Sequence, residues 1–276
     1  MEGFAGKVAV VTGAGSGIGQ ALAIELARSG AALAISDIDP DGLAVTEKQL
    51  TAIGAPVKAD RLDVSDREAF IAYGDTVSDH FGKVHQIYNN AGMSFYGDIE
   101  ISRFAEIERV MNVNYWGVVH GTKAFLPHLI ASGDGHVINV SSAFGLFAVP
   151  GQAAYNSAKV AVRGFSEALY QEMALAGHPV RVTTVFPGGV TSSFLRNTAV
   201  AEALGDVDLT ENFDVRLWST SPQKAAQVIL GGVRKNRPRV LIGPDMKILD
   251  LAVRVVGPRY QQMVPPVLRR FMKPIH

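Results

Sequence analysis

Short, β-branched apolar runs alternate along most of the chain with longer segments whose apolar residues recur at helical spacing. The Val-rich run 7–12 predicts a buried strand, and 20–28, apolar along one face, predicts a helix. The alternation continues with a strand at 32–37, a helix at about 40–53, a strand at about 56–62, a helix opening near Asp66 and a strand at 84–88. Helices around 102–131 and 154–176 and strands at 135–141, 180–186 and 239–243 complete the pattern. Repeated strand–helix units with short loops predict an α/β fold, a doubly wound parallel sheet with helices on both faces and ligands at the carboxyl ends of its strands. No repeat, low-complexity stretch or linker interrupts it, so a single domain spanning 1–276 is expected.

The turn between the first strand and its helix carries Gly13, Gly15, Ser16, Gly17, Ile18 and Gly19. Glycines let backbone approach a pyrophosphate closely, and the helix N-terminus that follows offers unpaired N–H groups to it. The second strand ends in Asp37, 18 residues beyond Gly19, where a carboxylate can accept bonds from an adenosine ribose. The same charge repels a 2′-phosphate and favours NAD, while Lys58 and Arg61 nearby leave room for NADP. The competing role for Asp37 is capping the helix that follows at Pro40. Asp63 and Val64 end the third strand, where the carboxylate can meet an adenine amino group or cap the next helix. Asn90, Ala91 and Gly92 form a small, amide-rich turn past which a flat ligand could lie.

Composition narrows the classes. Lys plus Arg equals Asp plus Glu at 26 each, which gives no bulk electrostatic case for nucleic acid. With no cysteine, disulfides, thiolate catalysis and Cys-type zinc sites are excluded. The seven histidines form no metal-ligand motif, and no metal is expected. A strand beginning by residue 7 leaves no room for a signal peptide, and no apolar run approaches the ~20 residues of a membrane span. A soluble, cytoplasmic protein is the expectation.

Chemistry gathers in the second half. Ser142 lies just past the strand at 135–141, and Tyr155 and Lys159 lie four apart on one face of the next helix. An isolated Tyr-x-x-x-Lys carries little weight; here a strand-end serine precedes the tyrosine by 13 residues in a chain that already has the nucleotide turn.

Taken together, Thr12 to Gly19, Asp37, Asp63-Val64, Asn89 to Gly92, Asn114, Ser142, Tyr155, Lys159 and Pro187-Gly188 resemble the short-chain dehydrogenase/reductase family in order and spacing, over residues 7 to about 191. The resemblance implies a seven-stranded Rossmann-type sheet and a nicotinamide-dependent oxidoreductase. It implies Tyr155 as acid/base, Lys159 as the charge that lowers its pKa and holds the nicotinamide ribose, and Ser142, chosen over Ser141 by the family spacing, as the group binding the substrate oxygen. A free phenol has a pKa of ~10, so a lowering by ~3 units, worth ~4 kcal/mol, is expected of the lysine and the oxidised cofactor. Asn114, rather than Asn112, is implied to anchor a water to Lys159. Pro187, Gly188, Val190 and Thr191 are implied to hold the nicotinamide carboxamide through their backbone.

The pattern loosens at 192–221, where a lid over the substrate is expected. Phe194 and Trp218 there, with Phe144, Phe147 and Gln152, are the candidate substrate contacts, and their apolar character favours a lipophilic small molecule. Residues 245–276 form an extension beyond the common family ending, with six Lys/Arg against two Asp/Glu. It is read as a flap, a dimer contact or, with less weight, a basic surface touching membrane; Pro258, Pro265 and Pro266 are expected to break any long helix. A homo-oligomer is expected, a dimer in preference to a tetramer, through the helices at 102–131 and 154–176. Two functions are carried forward: a dehydrogenase or reductase for a secondary alcohol or ketone, and a non-catalytic dinucleotide-binding sensor on the same fold.

Overall fold

The computed structural model describes residues 3–191, 198–205 and 220–271. Seven parallel strands form one sheet in the order β3-β2-β1-β4-β6-β7-β9: β1 Val8–Thr12, β2 Ala32–Asp37, β3 Val57–Arg61, β4 Gln86–Asn89, β6 Gly135–Val140, β7 Val180–Pro187 and β9 Arg239–Ile242. The remaining pair, β5 Phe95–Tyr96 and β8 Ala199–Val200, joins two distant segments in parallel and was not foreseen from the sequence.

Period-2 side-chain alternation sorts the core onto two faces. Ala9 and Val11 of β1 face one cluster with α1 (Gly17–Arg28), α2 (Pro40–Ile53) and α7 (Pro222–Arg234). Val10 between them faces the other, filled by Phe70 and Val77 of α3 (Arg67–Phe81), Phe125 of α5 (Gly117–Ser132) and Leu169 of α6 (Ala153–Leu175). Every residue of β1 is buried, which explains why it reads as an unbroken apolar run. β3 is the edge strand and is only half-buried, consistent with its Lys58, Asp60 and Arg61.

The strand order reverses between β1 and β4, and the crevice above that switch point lies between the turns 13–19 and 90–92. Thr12 Oγ accepts from the backbone N–H of Asn90 (3.1 Å) and Ala91 (3.0 Å), while Asn90 Nδ2 donates to the Thr12 carbonyl (3.0 Å). These bonds tie both turns into one rigid floor. Gly19 is needed for packing: a Cβ there would lie 2.0 Å from the Gly13 carbonyl oxygen. Gly13 itself has φ +66°. Gly19→Ala is therefore expected to destabilise the protein by about 3 kcal/mol or more. Gly231→Ala, mid-helix in open space, should gain up to ~1 kcal/mol. Urea unfolding of both variants checks the contrast.

Three expectations shift. The fourth strand starts and ends later than 84–88, so Asn89 is a buried strand residue bonded to Thr122 (3.2 Å) and Asn139 (2.9 Å). The helix expected at 102–131 is two: α4 (Phe104–Met111) and α5, joined by a wider π-type turn at Asn112–Trp116 that turns Asn114 inward. In the extension, Pro258 does separate α8 (Pro244–Val256) from α9 (Tyr260–Phe271), but Pro265 and Pro266 lie inside α9. A surface helix tolerates them because water can take the carbonyls they leave without a donor.

Candidate active site

Lys159 and Tyr155 project from the first turns of α6, and both are buried, 3% and 6% exposed. Lys159 Nζ donates to the Val140 carbonyl at 3.1 Å and lies 5.6 Å from the centroid of the Tyr155 ring. Its other two hydrogens have no protein acceptor among the described residues. Ser142 leaves the end of β6, accepts from Phe144 N–H at 3.2 Å and lies close enough to the Tyr155 phenol to lower its pKa. Ser141 is turned away: its hydroxyl donates to the Lys159 carbonyl at 2.8 Å. Geometry therefore separates the two serines, one facing the tyrosine and one locking β6 to α6.

The expected lowering of the Tyr155 pKa draws on the oxidised cofactor as well as the lysine; in the cofactor-free chain the phenol lies above its ordinary value. Burial pushes the phenol up to about 12, opposed only in part by the Ser142 hydrogen bond. Burial likewise brings Lys159 down to about 8. The ammonium lies over the ring and is itself desolvated.

Asn114 is fully buried, and its amide clamps Met93 from both sides: Nδ2 donates to the Met93 carbonyl (2.9 Å) and Oδ1 accepts from its N–H (3.1 Å). A Cβ at Gly92 would lie 2.7 Å from Asn114 Oδ1 and 3.4 Å from Lys159 Nζ. Glycine thus keeps backbone against the lysine with nothing intruding.

The loop 143–152 carries the candidate substrate contacts. Phe144 meets Tyr155 edge-on at 6.2 Å and Phe147 at 5.5 Å. Asn156 on α6 staples this loop, donating to the Phe144 carbonyl (3.1 Å) and accepting from Val149 N–H (3.1 Å). Gln152, one turn before Tyr155, is 6% exposed, and its Oε1 has no hydrogen-bond partner. A buried acceptor without a donor is costly, which marks it as a place for a ligand hydroxyl or amide. Phe194 and Trp218 lie outside the described residues.

At the other end of the crevice, Asp37 Oδ2 accepts from Gly15 N–H (2.8 Å) and Oδ1 from Asp39 N–H (3.0 Å). The capping alternatives fall to other acids: Asp39 caps α2 and Asp66 caps α3. Asp63 bonds the backbone and hydroxyl of Ser65 (2.9 and 2.6 Å) beside buried Val64. Ser16 is the N-cap of α1 with its hydroxyl making no capping bond, and Ile18 is half-buried behind it. Pro187 ends β7, Gly188 N–H donates to the Ile242 carbonyl (3.1 Å), Val190 is buried, and Thr191 N–H donates to the Thr220 carbonyl (2.9 Å). A dinucleotide fits this set. Glycine backbone and free helix N–H groups would meet its phosphates, Asp37 its adenosine end, and the Lys159 ammonium its second ribose. Among the described residues no group of three His, Asp or Glu side chains could hold a metal.

The sequence pointed to Ser142, Tyr155 and Lys159 but not to their supports. Asn156, Met246 and Tyr260 carry no local signal, because each acts across the fold, and Thr12 is marked by the turn it opens but not by its bond to the 90–91 turn. Met246 packs where a Cβ on Gly188 would fall, and Tyr260 Oη accepts from Ala148 N–H at 3.1 Å.

A family model described as short chain dehydrogenase matches residues 7–203. The Mycobacterium tuberculosis protein SadH, assigned as an oxidoreductase, is 55% identical over 271 residues, covering 98% of each chain. Rat estradiol 17-beta-dehydrogenase 11 is 30% identical, covering 94% of this chain and 83% of its own. Among solved structures, a short chain dehydrogenase/reductase from Burkholderia phymatum in complex with NAD superposes with a TM-score of 0.82 at 30% identity, covering 96% and 98% of the two chains. A metagenomic short-chain oxidoreductase in complex with NADP gives 0.71 at 28% identity, covering 87% and 97%.

Proposed function

The chain belongs to the short-chain dehydrogenase family of oxidoreductases, and from that premise we propose that it interconverts a lipophilic secondary alcohol and its ketone with NAD(H). The observation that carries this reading is the buried cluster in which Ser142 faces the Tyr155 phenol while Lys159, bonded to the Val140 carbonyl, lies over the Tyr155 ring beside Gly92. When bound, the nicotinamide supplies or takes the hydride. Tyr155 Oη gives a proton to the ketone oxygen, or takes it from the alcohol. Ser142 donates a hydrogen bond to that oxygen and stabilises its alkoxide character. Lys159 holds the ribose and keeps positive charge near the phenol. Burial keeps the phenol protonated at neutral pH in the cofactor-free chain, ready to donate. Phe144 and Phe147 favour an apolar substrate body, and the free Gln152 acceptor favours one bearing a second polar group near the reacting carbon.

Asp37 at the adenosine end favours NAD over NADP, and NAD- and NADP-bound relatives both exist within the fold. We also read the molecule as a single cytoplasmic domain that forms a dimer through α4 to α6, where Phe104 (85% exposed) and Trp116 (46%) lie open. The extension doubles as a flap: Met246 closes on Gly188 and Tyr260 on the loop 143–152. Fluorescence titration with NADH and NADPH tests the cofactor assignment. NADH should bind about tenfold more tightly, and Asp37→Ala should remove the gap. A preference for NADPH overturns the role of Asp37, and binding of neither overturns the enzymatic reading. Long-chain or cyclic apolar alcohols should exceed short polar ones in kcat/KM; the reverse overturns the lipophilic pocket.

A further inference from the structure

One exposed arc of α8 carries only apolar residues among those described. At about 100° per residue, Ile248, Leu251, Ala252 and Val255 fall within an arc of about 100° opposite the inward-facing Met246 and Val253. Ile248, Leu251 and Val255 are 73%, 62% and 77% exposed, and Met263 of α9 is 58% exposed. A helix apolar on its outer face as well as its inner one is normally covered. Lys247 and Arg254 flank one edge of this face, and Arg259 follows it, all exposed. Asp250 is turned inward, paired with Arg239 at 2.9 Å and reached by Arg254 at 3.2 Å. Apart from Asp245 in the first turn, α8 and α9 contain no other acid.

This charge pattern chooses between occupants. A second copy across a twofold axis would bring the same basic edge, Lys247 and Arg254, against its like. Anionic headgroups supply the missing charge, and the boundary of a bilayer takes the apolar arc. We propose that α8, with the start of α9, seats this protein on an anionic lipid surface. No helix among the described residues is long and apolar enough to cross a membrane, so the contact lies in the interface. The same surface reaches the active-site mouth through the Tyr260 bond to Ala148 in the loop 143–152. A chain docked in this way opens its pocket toward lipid.

The test is sedimentation of the full chain with vesicles of phosphatidylcholine alone, or of phosphatidylcholine and phosphatidylglycerol in equal parts, and it requires no turnover. The chain should pellet with the anionic vesicles only, less so as salt rises. The double variant I248D/V255D should weaken binding at least about tenfold, and K247Q/R259Q roughly fivefold per charge removed. Both should keep wild-type NADH binding and thermal unfolding. Three results overturn the proposal: wild-type chain staying in the supernatant, vesicle binding unchanged in I248D/V255D, or a fall in solution mass of that variant. The last assigns the face to a second copy.

Discussion

Tyr155→Phe is expected to lower kcat about 10³-fold while NADH affinity stays within about twofold. The substitution keeps the ring, and with it the edge-on contact with Phe144 and the face beneath Lys159; only Oη is lost. Because burial raises that phenol to about 12, the wild-type group is a proton donor across neutral pH. Reductive kcat/KM should therefore be flat between pH 6 and 7, whereas oxidation, which needs phenolate, should rise with pH. Single-turnover kinetics with a ketone substrate would separate the proton step from cofactor binding. Activity of the variant within tenfold of wild type would remove the tyrosine from the chemistry. Wild-type protein that binds NADH yet turns over no alcohol or ketone would favour a sensor.

Lys159→Met should act in opposite directions on activity and stability. Loss of the ribose contact and of positive charge near the phenol should cost at least about 100-fold in kcat/KM, mostly through cofactor binding. The folded protein, by contrast, should gain. Burial lowers this lysine from 10.5 to about 8, which at pH 7 means the native state bears a desolvated charge at a cost of about 3 kcal/mol. Methionine fills the same volume without that cost, so the cofactor-free variant should melt several degrees higher. The difference closes with pH in a defined window. Below pH 8 both native and unfolded wild-type lysine carry the proton and the penalty is whole. Between about 8 and 10.5 only the unfolded chain keeps it, and wild-type stability climbs toward that of the variant. Thermal unfolding of both proteins at pH 7 and pH 9.5 checks this, and a variant no more stable at pH 7 would show that the ammonium finds solvation the static structure lacks. In the wild type, NADH affinity should fall as pH passes 8, and in the variant it should be weak and pH-independent.

Much of the scaffold was legible because its determinants are local. Val8 to Thr12 is buried on both faces, so its apolar run announces a central strand, and the turn leaves no room for side chains at Gly13, Gly15 and Gly19. Tyr155 and Lys159 share one helix, so four-residue spacing places them together. What stayed hidden depends on contacts distant in sequence. The wider turn at Asn112–Trp116 carries no residue signature, yet it aims Asn114 at Met93. β5 and β8 pair across a hundred residues through two residues each. The upward shift of Tyr155 in the cofactor-free chain is a property of the packed site: the sequence shows a lysine four residues away but not the burial of the phenol.

The loop from Ala143 to Gln152 is fastened at a few points away from the catalytic side chains. Asn156 grips its carbonyls from α6, and Tyr260 grips Ala148 from the extension. Ser142 belongs to the end of β6, and Tyr155 and Lys159 to α6, so their mutual placement is set by the strand and helix and not by the segment spanning them. That segment is in effect a replaceable cartridge. Lineages, or engineers, can rewrite the surface that meets the substrate while the proton path keeps its dimensions, provided an amide at 156 still finds two carbonyls to hold.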